Sequence, residues 1–439
     1  MIPQTQAKII ENASPSKNRQ DSRVTLSAER TLRQEEVHPV STLEFDAPLL
    51  ETMFRRRTRR FPVGGTLRAK RAGLAYSSQE EPYPLSELET ALLCFATLGT
   101  TGVTTEEIRH LMGHLTVLGR TAGSPCASLT LHLFFTDDHG VFLYRNPDLG
   151  EVIPQKQARI SSPADRRLIL EDYRNNLVKL GDGRMNIPRE AIGSAFESMV
   201  NLPGTTLFIP MADTTREYIN LLLTGIAQFR WQMWDDAEDQ PAGVGRWIEN
   251  GFLNGPRLTI FQYDGMLPWV CNLEAGMAMQ NLMLAATAMG LGSFAMHTID
   301  LPTVMRCLGM RFEPADRERF PQAAPNPVGI DALLEGFCPS YRTTEQAVDE
   351  IAALKWGEEG IYGVRGYDLP RGKVYDEIVE IAKAYCAYVY EKYGRFPKYC
   401  DAMFIPVLLQ VHHLDIGFYD RFFPQHLNEA DRKHREIWH

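Results

Sequence analysis

Arginine fills five of the six positions from 55 to 60, in the run RRRTRRF. If the run is extended, positions 55, 57 and 59 face one way. Three guanidiniums so placed could clasp a phosphate through paired, charge-assisted hydrogen bonds. A solvated face, or ion pairs with nearby acids, would use the same residues. A nucleic-acid surface fits poorly, because neither interleaved aromatics nor a second basic stripe accompanies the run. A second candidate is Gly123-Ser124-Pro125-Cys126-Ala127-Ser128, whose small residues let backbone and hydroxyl groups approach a flat ligand, or simply form a loop into a strand. Cys126 has no adjacent His or Asp to make a nucleophilic dyad. Phe229, Trp231 and Trp234 could stack on a planar molecule or close the edge of a core. His412-His413-x-Asp415 invites a metal, but adjacent histidines point apart and no pair at i,i+4 spacing supports them, so no metal is expected there.

These residues need elements to hold them. Ser86 with Glu89 has capping-box spacing, and Leu88, Ala91, Leu92 and Phe95 recur at helical intervals, which predicts a helix over 85–98. Thr104-Thr105-Glu106-Glu107 reads as a second helix start. LTLHLFF (129–135) and VFLYR, separated by Asp137-Asp138-His139-Gly140, predict a hairpin. Residues 163–180 carry a helical period, 205–211 (TTLFIPM) read as a buried strand, and Asp213 or Thr214 caps the helix that follows, running on towards Trp234. RLTIFQY reads as a strand. The strongest helix spans 273–289, with Asn272 as its cap and Gly290 or Gly292 where a left-handed C-terminal cap is wanted. Its small residues suit close approach of another helix. Helical patterns recur at 345–355 and 374–393.

Taken together, three segments resemble the nitroreductase-like flavoprotein family over about residues 45–335. RRRTRRF looks like the family's N-terminal Arg-Arg-Ser-x-Arg-x-Phe segment, with Arg57 where the family has Ser. The loop at Ser124, Pro125, Cys126 and Ser128 is similar to the one that edges the isoalloxazine ring. EAGMAMQNLMLAATAMGLGSFAMHT resembles the family's long helix and Gly-Leu-Gly-Ser turn. The resemblance implies an α+β fold, a mixed and mostly antiparallel sheet flanked by helices. It implies FMN held by Arg55, Arg57 and Arg59 and by Gly292, Ser293, Met296, His297 and Thr298, with the Thr298 amide near the flavin N5 and His297 a candidate acid. Phe229, Trp231 and Trp234 fall where the family covers the flavin and selects substrates. NAD(P)H would be the electron donor, a small organic molecule the acceptor, the kinetics ping-pong, and the assembly a homodimer with FMN between subunits. The other readings are a dehydrogenase that returns electrons to oxygen, within which the branch oxidising peptide azoline rings shows a fainter likeness, and a flavin-binding protein without turnover.

Composition agrees with a folded enzyme. The 439 residues are 44% hydrophobic with a net charge of −9, enough apolar material for a sizeable core and too little cationic surplus for a general polyanion binder. No run of about 18 apolar residues predicts a membrane span. The seven cysteines make no CxxC pair, which fits reduced thiols in a cytoplasmic protein. Residues 1–44 read as a flexible or partner-wrapping arm, 45–335 as the FMN-binding domain and 336–439 as a C-terminal extension.

Overall fold

The computed structural model describes residues 48–67, 75–110, 113–145, 163–193, 199–297, 299–313, 325–356, 361–362 and 373–439. The arm at 1–44 and Thr298 lie outside them. The fold is α+β, with a largely antiparallel central sheet flanked by helices. Six strands run across that sheet: β1 (Leu131–Asp137), β2 (Gly140–Tyr144), β3 (Leu177–Asp182), β4 (Thr205–Asp213), β5 (Gly292–Met296) and β6 (Leu408–His412), in the spatial order β5-β6-β4-β1-β2-β3. Residues Met403–Phe404 also pair with β4.

Period-two alternation explains the layers. Leu131, Leu133, Phe135, Phe208, Leu409 and Val411 point to one face, while Phe134, Leu207, Ile209, Phe294 and Leu408 point to the other. Both faces are covered, so β4 is buried along its whole length. The first face packs on α1 (Glu87–Leu98) and α2 (Ile260–Ala288). Ser86 Oγ accepts from the Glu89 amide and the Glu89 carboxylate accepts from the Ser86 amide, which is the capping box expected of that sequence. A further helix, α3 (Lys373–Tyr393), packs with Tyr218, Tyr263 and Leu267 in a separate core at the N-terminal end of α2.

Four sequence expectations are corrected. Residues Thr100–His110 form a strand paired with Gly113–Arg120, not a helix; their threonines and Val103 are β-branched, stiff at χ1 and suited to a pleated surface. The helix over 163–180 ends at Asn176, where β3 begins. The helix capped by Asp213 stops at Thr224, passes through a π-turn at Gly225–Phe229, and gives way to the strand Gln232–Asp235. Finally, the long helix begins at Ile260, not 273, so only Arg257–Thr259 of the expected strand RLTIFQY are strand and its last four residues are helix. Thr259 is its cap in a box with Gln262, and Pro268 is accommodated within it. Gly290 takes the left-handed φ of 83°, and its missing side chain admits Ala430, whose carbonyl would lie 2.6 Å from a Cβ there.

The segment 336–439 is woven into this core. It supplies β6, which pairs with β5 on one side and β4 on the other.

Candidate functional site

The arginine run and the glycine turn meet. The Arg59 amide lies 3.4 Å from the Ser293 carbonyl, and its guanidinium donates to the Leu291 carbonyl at 2.8 Å. Phe61 stacks on Phe418 with ring centroids 4.0 Å apart, and the Val63 amide donates to the His413 carbonyl at 3.0 Å, so the stretch after the run is stitched beside β5 and β6.

The three alternate arginines do not share one face, however. Arg55 closes a short helix, Leu49–Arg55, and pairs with Glu51 one turn earlier. Arg57 is exposed and folds back on the Phe54 and Arg56 carbonyls. Arg59 is only 1% exposed and is committed to Asp431, 2.6 Å away and itself fully buried. A buried guanidinium requires a carboxylate partner, and the chain provides one from its own C-terminal region. Arg60 instead reaches over the Phe294 ring, 5.9 Å from its centroid. Arg55, Arg57 and Arg60 are exposed, Arg60 beside the Phe294 ring of β5, and exposed guanidiniums are donors that suit a dianionic phosphate.

The 123–128 loop also turns its side chains inward. Ser124 Oγ donates to Glu274 on α2, whose other oxygen accepts from the Thr130 amide at 2.6 Å and its hydroxyl at 3.0 Å. Burial raises the Glu274 carboxyl, and those hydrogen bonds oppose it. Cys126 faces Glu217, a second buried carboxylate: burial first, then this neighbouring charge, pushes the thiol far above its ordinary range. Burial raises Glu217 as well, against the hydrogen bond that Asn220 donates to it at 3.3 Å. Lys355 supports the cluster by donating to Asn220 at 2.7 Å. Ser124 and Cys126 are half-buried and turned towards Glu274 and Glu217, Ser128 is buried, and Gly123 and Pro125 are the exposed members of the loop. On the strand, Gly292, Ser293 and Met296 are buried and His297 is exposed.

The aromatic group sits elsewhere. Trp231 packs edge-on to Tyr263 near the start of α2, stacked with the exposed Phe229, while the Arg257 guanidinium lies 3.5 Å from the Trp234 ring centroid. From Tyr263 to the turn at Leu291 the helix rises about 40 Å at 1.5 Å per residue. Within one subunit the aromatics and the arginines are at opposite ends of α2.

Sequence reading missed Asp431 as the partner of Arg59, and it missed the surroundings of His413. His413 lies beside Glu89, His434 and His439. His412 points to the other face, under Gly292 and near the Phe294 ring. Burial pushes it down to about 3, so it is neutral. Asp415 caps the helix Ile416–Phe422 and accepts from Tyr76.

Residues 221–317, which hold all of α2 and β5, match the model of the Nitroreductase family. The chain is nitroreductase-like. The family that these residues resemble comprises flavin-type oxidoreductases. Similar solved structures include a provisionally named nitroreductase of Ralstonia eutropha JMP134, at 14% identity and a TM-score of 0.28, with 60% of this chain and 77% of the other covered. Another is CLA-ER, an enone reductase of gut-bacterial fatty acid saturation, at 11% identity and a TM-score of 0.27, with 61% and 83% covered. No curated protein matches the nitroreductase-like chain. Among the described residues, no helix is long and apolar enough to cross a membrane.

Proposed function

We propose that this chain binds FMN and uses it to move electrons between NAD(P)H and a small organic substrate. The observation that carries the proposal is the seating of the arginine run on the Gly-Leu-Gly-Ser turn, through Arg59 to Leu291 and Ser293. Arg55 and Arg57 would hold the flavin phosphate, with Arg59 fixing the segment that presents them. When bound, FMN supplies the two-electron chemistry. Pro125 and the backbone at Met296, His297 and Thr298 would border its ring, and the exposed His297 imidazole would stand nearest the substrate.

A homodimer is part of the same reading. One face of α2 is apolar and exposed: Met266, Trp269, Leu273 and Met277 recur along it, with Trp269 65% accessible. Leu49, Leu50, Met53 and Phe54 of the short N-terminal helix add to the exposed apolar surface. A contiguous patch of this kind marks an interface. Two copies of α2 packed antiparallel would bring Phe229 and Trp231 of one subunit towards the glycine turn of the other, closing the 40 Å gap estimated above from the helix rise.

The test is the visible spectrum of the purified protein, with the released flavin identified, followed by anaerobic addition of NADH or NADPH. Bound FMN that bleaches with nicotinamide, and parallel lines in double-reciprocal plots, are expected. Replacing both Arg55 and Arg57 by Ala should weaken FMN binding by about 1.5–3 kcal/mol for each charged hydrogen bond lost. A colourless protein that takes up no FMN would overturn the proposal. FMN that neither nicotinamide bleaches would leave a flavin carrier or an oxygen-dependent dehydrogenase.

A further inference from the structure

Glu89, His413, His434 and His439 come from three separate parts of the chain and converge on one point. Each offers a ligand atom, and these atoms all lie within 4.8 Å of one another. Glu89 belongs to the first turn of α1, His413 follows β6, and the other two flank the terminal helix His434–Trp438. The first three are buried.

The hydrogen bonds around the cluster fix which atoms point inward. His434 Nδ1 is 2.7 Å from the Met289 carbonyl and His413 Nε2 is 3.3 Å from the Pro84 carbonyl. A carbonyl only accepts, so each of these nitrogens carries its ring's proton. That leaves His434 Nε2 and His413 Nδ1 as lone pairs, and they face each other 3.1 Å apart. Glu89 Oε1 lies 2.9 Å from His434 Nε2 yet is buried without a hydrogen-bond partner. The second carboxylate oxygen accepts from the Ser86 amide at 2.6 Å and lies 3.5 Å from His439 Nε2. With both rings neutral, acceptors crowded together in this way repel unless a cation, a proton or a metal ion, sits among them.

We propose that these four residues form a structural site for a divalent transition metal, Zn²⁺ foremost. A tetrahedral Zn²⁺ with bonds of about 2.0–2.1 Å sets its ligands about 3.3 Å apart. The separations around His434 Nε2, 2.9 Å to Glu89 Oε1 and 3.1 Å to His413 Nδ1, are close to that edge, and all four ligand atoms lie within 4.8 Å of one another, so a bound ion would draw the outer ones in. Three imidazoles and one carboxylate are a zinc-type donor set. The carbonyl of Met289 on His434 and that of Pro84 on His413 are the outer partners that hold ligating rings in place. Four protein ligands leave no open position, and a closed site of this kind is structural, not catalytic. Its effect would be to pin the C-terminal segment to α1 and to the turn after α2.

The test uses the full-length chain without an affinity tag. Metal analysis of the purified protein should give about one zinc per chain, as a closed four-ligand site predicts. After chelation, Co²⁺ should restore the intense visible bands of a tetrahedral centre, to the red of any flavin absorption, and Zn²⁺ should abolish them. Glu89→Gln and His434→Ala should each lose the metal, with Glu89→Gln keeping the helix cap in place. Wild-type protein that holds no zinc after incubation and desalting, and gives no tetrahedral Co²⁺ spectrum, would overturn the proposal. So would full zinc retention in a His434→Ala/His439→Ala double variant.

Discussion

Asp431→Ala isolates the pair that anchors the arginine run. Arg59 and Asp431 are 1% and 0% exposed and 2.6 Å apart, so solvent screening does not dilute the interaction. Removing the carboxylate leaves the guanidinium buried with only the Leu291 carbonyl as a partner. Breaking a buried pair from one side costs about 3–5 kcal/mol, because the remaining charge is uncompensated. The same carboxylate accepts from the Asn428 amide at 2.8 Å, so loss of a cap of about 1 kcal/mol adds to the effect. Urea unfolding followed by circular dichroism should therefore show a lower midpoint at unchanged slope. A double variant, Arg59→Met with Asp431→Leu, removes both charges and should recover most of the loss, since an apolar pair of similar volume is close to neutral. If Asp431→Ala unfolds within about 1 kcal/mol of wild type, the pair is not buried as described and the reasoning fails. Tighter FMN binding in that variant would instead assign Arg59 to the phosphate.

Asp264 gives a pH signature. Burial holds its carboxyl up at about 7 against 3.8 for the free group, with the Tyr399 amide opposing the shift. The native state then keeps a proton that the unfolded state releases, so stability falls as pH rises from about 4 to 7, by a total on the order of 4 kcal/mol. Asp264→Asn should flatten that decline and leave the variant more stable than wild type at pH 8; parallel curves for the two proteins would refute it. Trp269→Glu with Leu273→Glu should convert a dimer to a monomer on size-exclusion chromatography with light scattering, and a wild-type monomer would remove the basis for the dimer. Cys126, whose thiol is pushed up by burial and by Glu217, should resist a disulfide reagent at pH 8 until the protein is unfolded. Rapid labelling of the native protein at this position would contradict the inward-facing loop.

Local signals were legible where the physics is local. The capping box at Ser86, the cap at Asp213, the hairpin turn after Asp137 and the left-handed Gly290 each depend on a few neighbouring residues, and each occurs. The start of α2 was hidden because Gly265 and Pro268 look like punctuation, whereas the box formed by Thr259 and Gln262 and the burial of Tyr263 and Leu267 carry the helix through them. Thr104 and Glu107 offered the capping spacing of a helix, yet Thr104 pairs with Val117 in a strand and Glu107 falls in the irregularity between Thr105 and Arg109. The site was legible as a meeting of two segments but not in its details. Nothing near Arg59 announces Asp431, and nothing near His413 announces Glu89, since both contacts are made by chain closure over hundreds of residues.

The strand order has a consequence for synthesis. Because β6 stands between β5 and β4, the sheet has a vacancy until residue 412 has left the ribosome. Until then two unpaired strand edges, each a template for wrong partners, must be kept apart. A nascent chain interrupted before that point would lack an interior strand, not an ornament, and would go to chaperones or proteases instead of to a shortened enzyme.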